Sequence, residues 1–276
     1  MTGSKLRDIT IGKYYNNDSV IHRLDPRVKL AGLFIYLILL FACKNYFAYI
    51  LLTAFLFAVI RVSGVPIMYV LRGLKTIIYI LLFTTFFNIL FTPGDALFKW
   101  GIINITEEGI VRAVFYVIRF ILLIMASSML TLTTTPNSLT DGLEKSFSFL
   151  NKIGFPVHEM ALMMSIALRF IPVLTEEANR IITAQTVRGM DFEKGGVIEK
   201  AKKMLPIFIP LFVSSFRRAN ELATAMEARC YHGGEGRTRL NPLEYDKMDY
   251  SAYFVMLILV IICAGMTVTG IGRIVI

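Results

Sequence analysis

The sequence predicts an all-α integral membrane protein with about five transmembrane helices and a cytoplasmic coupling domain of amphipathic helices. Two observations lead there. Apolar residues are 55% of the 276-residue chain and charged residues only 18%, whereas a soluble domain is about one-quarter charged. The apolar residues also gather in runs of near-bilayer length, separated by short charged breaks. The mean hydropathy of +0.62 agrees. The first thirty residues are polar and carry Lys5, Arg7, Lys13, Arg23, Arg27 and Lys29, so no cleaved apolar leader is expected. Cys43, Cys230 and Cys263 form no CxxC pair, and His22, His158 and His232 suggest no metal cluster. The net charge of +9 follows the positive-inside bias of a membrane protein, so no nucleic-acid partner is expected.

Residues 1–27 read as a cytoplasmic amino-terminal segment and 28–135 as a four-helix transmembrane region. The first apolar run is Val28 to Cys43, and the second, after Lys44-Asn45, is Tyr46 to Ile60. Both are near the lower limit of about 17 residues for a crossing, so they form one close hairpin. The loop from Arg61 to Lys75 has three positive charges and no acid, which places it inside. The third run, Thr76 to Phe91, stops at the breaker TPGD. Residues 93–109 are mixed and read as an external loop. The fourth run spans roughly Ile110 to Leu132. Its Arg112 and Arg119 share a face, and Arg119 is expected to snorkel or to line the bundle interior. The last helix, Tyr250 to Val268, lies in a final segment 250–276. Five spans put the amino terminus inside and the carboxyl terminus outside.

Residues 136–249 differ, with fifteen Lys/Arg, fourteen Asp/Glu and no uninterrupted apolar run of eighteen. Three helices are expected here. The first runs from Ser138, its N-cap, to Leu150, with Asp141 near the first turn and GFP at 154–156 as the stop. The second runs from near Pro156 to Arg188 and is kinked or split by Pro172. The third starts near Pro206 or Pro210 and runs to Arg229.

The last two helices repeat at an offset of forty-one residues. Ala178-Asn179 matches Ala219-Asn220, Thr183-Ala184 matches Thr224-Ala225, Arg188 matches Arg229, and Gly195 matches Gly236. Phe216, Ala219, Ala223, Met226 and Cys230 share one helical face, as do Leu174, Ala178, Ile181 and Gln185. Alanine-rich faces let two long helices cross closely. Each then projects an arginine from its carboxyl end. A positive charge there is favoured by the helix dipole, by at most about 1 kcal/mol. The duplication adds a second reading, a forked donor aimed at a partner.

These features resemble the transmembrane T component of energy-coupling factor transporters, the ATP-driven micronutrient importers. The resemblance rests on two short Ala-Arg-Gly-like motifs, here Val187-Arg188-Gly189 and Ala228-Arg229-Cys230. It extends to the tail EARCYHGGEGRTRLNPL (227–243) and to HRLDPRVKL (22–30), and so covers nearly the whole chain. The resemblance implies binding to two ATP-binding-cassette ATPases, identical or homologous, which hold the ATP and magnesium; no cofactor binds this chain directly. It implies docking of the tips through Arg188 and Arg229, with Gly189, Ala228, Cys230, Asp191 and Glu227 around them. It also implies an apolar upper face holding a membrane-embedded substrate-binding subunit, the S component, in a prokaryotic plasma membrane. Met160, Met164, Ala178, Ala219, Ala223 and Met226 are the expected S-component or helix-crossing face, and Met163 is a further adaptable apolar contact. Arg237 and Arg239 are expected at solvent or lipid headgroups.

Two positions depart from the pattern: Val187 replaces an alanine and Cys230 a glycine. A cysteine held at positive φ costs about 1 kcal/mol. The expectation is therefore that the helix runs through Cys230 and turns at Gly233-Gly234. No GxxxxGK[ST], HExxH or GxSxG is present, so the chain is not expected to hydrolyse ATP itself. The alternatives are an intramembrane enzyme or a self-contained permease whose arginines hold a phosphorylated lipid or substrate. The first lacks paired acids for a metal, and the second lacks a membrane-embedded repeat.

Overall fold

The computed structural model describes residues 14–43, 45–91, 96–100, 103–192, 196–234 and 242–269. The chain forms two compact units. One is built on Leu143–Pro242, the other on Gly12–Gly142 with Leu243–Ile276.

The second of these holds α1 (Val20–Arg23), α2 (Pro26–Ala42), α3 (Tyr46–Ser63), α4 (Ile67–Phe91), β1 (Ala96–Trp100), β2 (Ile103–Thr106), α5 (Glu107–Thr133) and α9 (Lys247–Thr269). Pro26 opens α2 at its first position, and the Asp25 carboxylate caps it by accepting from the Arg27 N–H at 2.8 Å. The α2–α3 turn is fixed by Asn45, whose side-chain amide donates to the Met266 carbonyl of α9. Gly64, at φ +67°, ends α3, and α4 begins three residues later. The charged loop expected over 61–75 is thus only 64–66: Arg61 closes α3, while Arg72 and Lys75 ride on α4. Within α4, Ile67–Lys75 and Ile77–Ile89 meet at 60°.

The expected external loop at 93–109 contains a short antiparallel hairpin, β1 against β2, a minor addition to an all-α, mostly helical fold. The Thr106 hydroxyl then caps α5, accepting from the Gly109 N–H at 3.1 Å. Helices α2, α3, α4, α5 and α9 share one apolar core, in which Leu40, Leu52, Val70 and Cys263 are wholly buried. Arg119 lines the interior of this bundle. It is buried, donates to the Tyr49 hydroxyl at 2.7 Å, and lies 5.0 Å from the Phe115 ring centre. Arginine over aromatic faces is favourable when desolvated.

By length and composition, four helices among the described residues can cross a membrane: α3, Gly109–Thr133 of α5, Val157–Val187, and α9. The bent α4 pair makes five. The seventeen-residue α2 falls one short of that eighteen-residue length. Val157–Val187 lies in the region read as amphipathic. Its best window reaches a hydropathy of 1.5 because charges are sparse in its first half.

The other unit holds the end of α6 (Pro136–Ser146), a 3-10 turn (Ser148–Ile153), α7 (Val157–Val187) and α8 (Val197–Ala228). Two expectations need correction. Ser138 does not cap α6. Thr135 does, accepting from the Ser138 N–H at 3.2 Å, because Pro136 takes the first helical position. Of the two outcomes expected at Pro172, a kink or a split, the split does not occur: α7 is one helix of 31 residues with Pro172 inside it. And α8 begins at Val197, with Pro206 and Pro210 inside it. The preceding VIEKAKKML is rich in helix formers, and two prolines four apart disturb only one face.

Candidate functional site

The carboxyl ends of α7 and α8 are the same structure built twice. Arg188 is the C-cap of α7 at φ −74°, ψ 7°, and Arg229 that of α8 at φ −96°, ψ 16°. After Arg188, the Gly189 N–H donates to the Thr186 carbonyl (3.0 Å) and the Met190 N–H to the Gln185 carbonyl (3.0 Å). After Arg229, the Cys230 N–H donates to the Glu227 carbonyl (2.8 Å) and the Tyr231 N–H to the Met226 carbonyl (3.0 Å). Both are Schellman motifs, which satisfy carbonyls that a helix end leaves unpaired.

The expected difference between the tips is therefore overturned. The helix does not run through Cys230. Cys230 stands at φ +58° and Gly189 at φ +85°, both left-handed. The cysteine accepts strain of about 1 kcal/mol, and the two carbonyl partners of the turn offset it. Its thiol is free and exposed.

Arg188 and Arg229 are both exposed, and neither guanidinium has an ion-pair or hydrogen-bond partner among the described residues. Ala228, Glu227 and Asp191 are exposed beside them, and Val187 is 83% exposed. The match of Gly195 with Gly236, and Arg237 and Arg239, lie outside the described residues.

Beneath the tips, α7 packs on α8 around a groove of about 290 Å³ lined by Phe170 and Leu174 on one side and Ser215, Ala219, Ala223 and Met226 on the other. Ala219, Ala223 and Met226 line this groove. Ala178 is half-buried outside the groove lining. Met160 and Met164 are exposed, at 40% and 44%, and do not line the groove. Phe216, read as part of the crossing face, is 57% exposed.

Two features escaped the pattern reading. Glu177 of α7 and Arg218 of α8 form an ion pair at 3.8 Å. They stand forty-one residues apart, so the repeat itself carries the signal: opposite charges at matching positions. The second is an exposed aromatic ladder on α8. Phe208, Phe212 and Phe216 have ring centres 6.1 and 4.7 Å apart at a spacing of four. Placing the helix start at Pro210 leaves Phe208 outside the helix and divides this stripe.

The family model described as "Cobalt transport protein" (CbiQ) matches residues 17–240. The chain is 49% identical over 244 residues to "Energy-coupling factor transporter transmembrane protein EcfT" of Ruminiclostridium cellulolyticum, covering 88% of this chain and 91% of that one. It is 49% identical over 259 residues to the protein of that name from Clostridium kluyveri (93% and 96%). Against that of Bacillus subtilis it is 46% identical over 250 residues (90% and 94%). The match takes in both arginine tips, the crossing and the spans before them, and the chain belongs to this family of energy-coupling factor transporter transmembrane proteins.

Proposed function

We propose that the chain is the transmembrane coupling subunit of an energy-coupling factor importer. It passes motion from two ATP-binding-cassette ATPases to a membrane-embedded S component that holds the vitamin or other micronutrient. It is a multi-pass membrane protein and a non-catalytic subunit; ATP and magnesium belong to the ATPases. Its spans are α2, α3, α4, α5 and α9, and residues 136–249 are the cytoplasmic coupling region. The apolar first half of α7 is then covered by the S component and the membrane surface rather than crossing the bilayer.

One observation carries the reading: two exposed arginines, each capping a long helix through the same turn, on two helices that pack on one another. A guanidinium is a rigid fork for carboxylates and carbonyls. Arg188 and Arg229 each seat in a groove on one ATPase. Gly189, Ala228, Cys230, Asp191 and Glu227 shape the contact. When ATP closes the ATPase pair, the seated tips move together and the angle between α7 and α8 changes. The apolar surface farther from the tips, Met160, Met164 and the Phe208–Phe212–Phe216 ladder, holds the S component and tilts it. Ala178, Ala219, Ala223 and Met226 keep the crossing close.

Replacing both Arg188 and Arg229 with alanine is expected to abolish co-purification of the ATPases while leaving the chain in the membrane. Normal co-purification by the double variant would sink the docking role. Cys230 gives an independent readout. Its thiol should react with a maleimide in the isolated chain and be shielded in the assembled complex.

A further inference from the structure

The chain that leaves α5 and the chain that returns into α9 both end on the same three residues, Asp25, Pro26 and Arg27. On the outgoing side, the buried Gly142 of α6 lies against them. A Cβ there would stand 2.8 Å from Pro26 Cβ, 3.3 Å from the Pro26 carbonyl carbon and 3.5 Å from the Arg27 nitrogen. Only glycine allows this approach.

On the returning side, Asp249 is 3% exposed. One of its oxygens accepts from the Asp25 N–H at 2.9 Å, and the other from the Asp246 N–H at 2.9 Å. The carboxylate therefore sits at the amino ends of α2 and α9 together, where both dipoles favour it. Arg27 grips the Asp25 carboxylate at 2.7 and 3.0 Å, donates to the Leu243 carbonyl at 3.1 Å, and lies 3.9 Å over the Tyr245 ring. Buried charges persist only when paired and hydrogen-bonded in this way.

All these contacts lie within one compact unit. The other unit begins one residue beyond them on each side, at Leu143 and at Pro242. Two loose ends would let the coupling region shift as a whole when its tips are pushed. Two ends pinned at one spot leave rotation about that spot as the low-cost motion. We propose that Asp25-Pro26-Arg27 moors both ends of the coupling region and makes Gly142 and Leu243–Asp249 its pivots. Asp25, Arg27, Gly142 and Asp249 are then positioning residues for coupling. The inference rests on the coupling-subunit reading.

The test uses the chain assembled with its ATPases. Spin labels are attached through ketone-bearing residues at Ile153 and Met68, 79% and 63% exposed, so that Cys230 stays native. Their distance distribution is measured by pulsed electron spin resonance before and after ATP and magnesium. Asp249→Asn and Gly142→Ala disturb the two sides of the mooring separately. Each is expected to widen the distribution roughly two-fold without ATP and to remove the ATP-driven shift. Hydrolysis per complex should stay near the parent's. Parent-like widths in both variants would overturn the mooring, as would hydrolysis and ATPase co-purification falling together. If Asp249→Asn yields no complex, Gly142→Ala decides, since it removes no charge partner. A parent without any ATP-driven shift would defeat the coupling reading instead, and the widths without ATP would still judge the mooring.

Discussion

In the α7 arm the residue after the arginine is Gly189; in the α8 arm it is Cys230. Both stand in the left-handed region and both close the same pair of carbonyl bonds. The comparison separates what makes the turn from what makes it easy. The unpaired carbonyls of a helix end make it. Glycine only lowers its cost. The arms differ more in their amino-terminal halves. That of α8 carries two internal prolines and the start of an aromatic ladder, Phe208 and Phe212, while that of α7 carries exposed methionines. Equal tips on unequal shafts are what the proposed docking of two ATPases and one S component calls for.

The largest expected effect tests whether the tips are equal. Arg188→Ala and Arg229→Ala, made singly, should each weaken ATPase binding by about 2–3 kcal/mol, roughly 30- to 150-fold. A difference of more than about ten-fold between them in titration against purified ATPases would break the equivalence. A smaller effect sharpens the crossing. Glu177→Arg sets like charges against Arg218 and should cost about 0.5–1 kcal/mol, because both groups are partly exposed. The exchanged pair Glu177→Arg with Arg218→Glu should recover most of it, read as thermal stability in a double-mutant cycle. No recovery would mean that the pair does not help to hold the crossing.

The smallest effect sharpens the comparison of the turns. Cys230→Gly should steady its tip and Gly189→Ala should loosen the other, each by about 0.5–1 kcal/mol. Hydrogen exchange at the Tyr231 and Met190 amides, which close the two turns, should slow in the first variant and quicken in the second. Faster exchange at Tyr231 in Cys230→Gly would show that the cysteine is preferred there.

The arms were legible because helical signals are local. The forty-one-residue offset located both arginines; α7 ends at Val187, one residue inside its expected end, while α8 stops at Ala228, short of the expected run through Cys230. Local signals also misled. Pro206 and Pro210 read as a start, yet propensity in the preceding residues carried the helix past them. Cys230 read as incompatible with positive φ, because its own preference was weighed without the bonds that the turn supplies. The hairpin at 96–106 gave no alternating pattern strong enough to stand out. The mooring was out of reach for a different reason: Asp25 and Asp249 are 224 positions apart, and no periodicity connects them. HRLDPRVKL stood out only as a resemblance, and its physical role appears once the two helix starts meet.

Glu177 and Arg218 have a further consequence. They occupy the same place in the two arms and touch one another. In a symmetric dimer of one-armed chains, a residue meeting its own copy on the twofold axis would meet an identical charge. It would have to be neutral or suffer the repulsion. Joining both arms in one polypeptide lifts that restriction, since one arm carries Glu177 and the other Arg218 at the matching position. Two matching arms in a single chain thus open their joint to an electrostatic pairing that a homodimer cannot use on its axis.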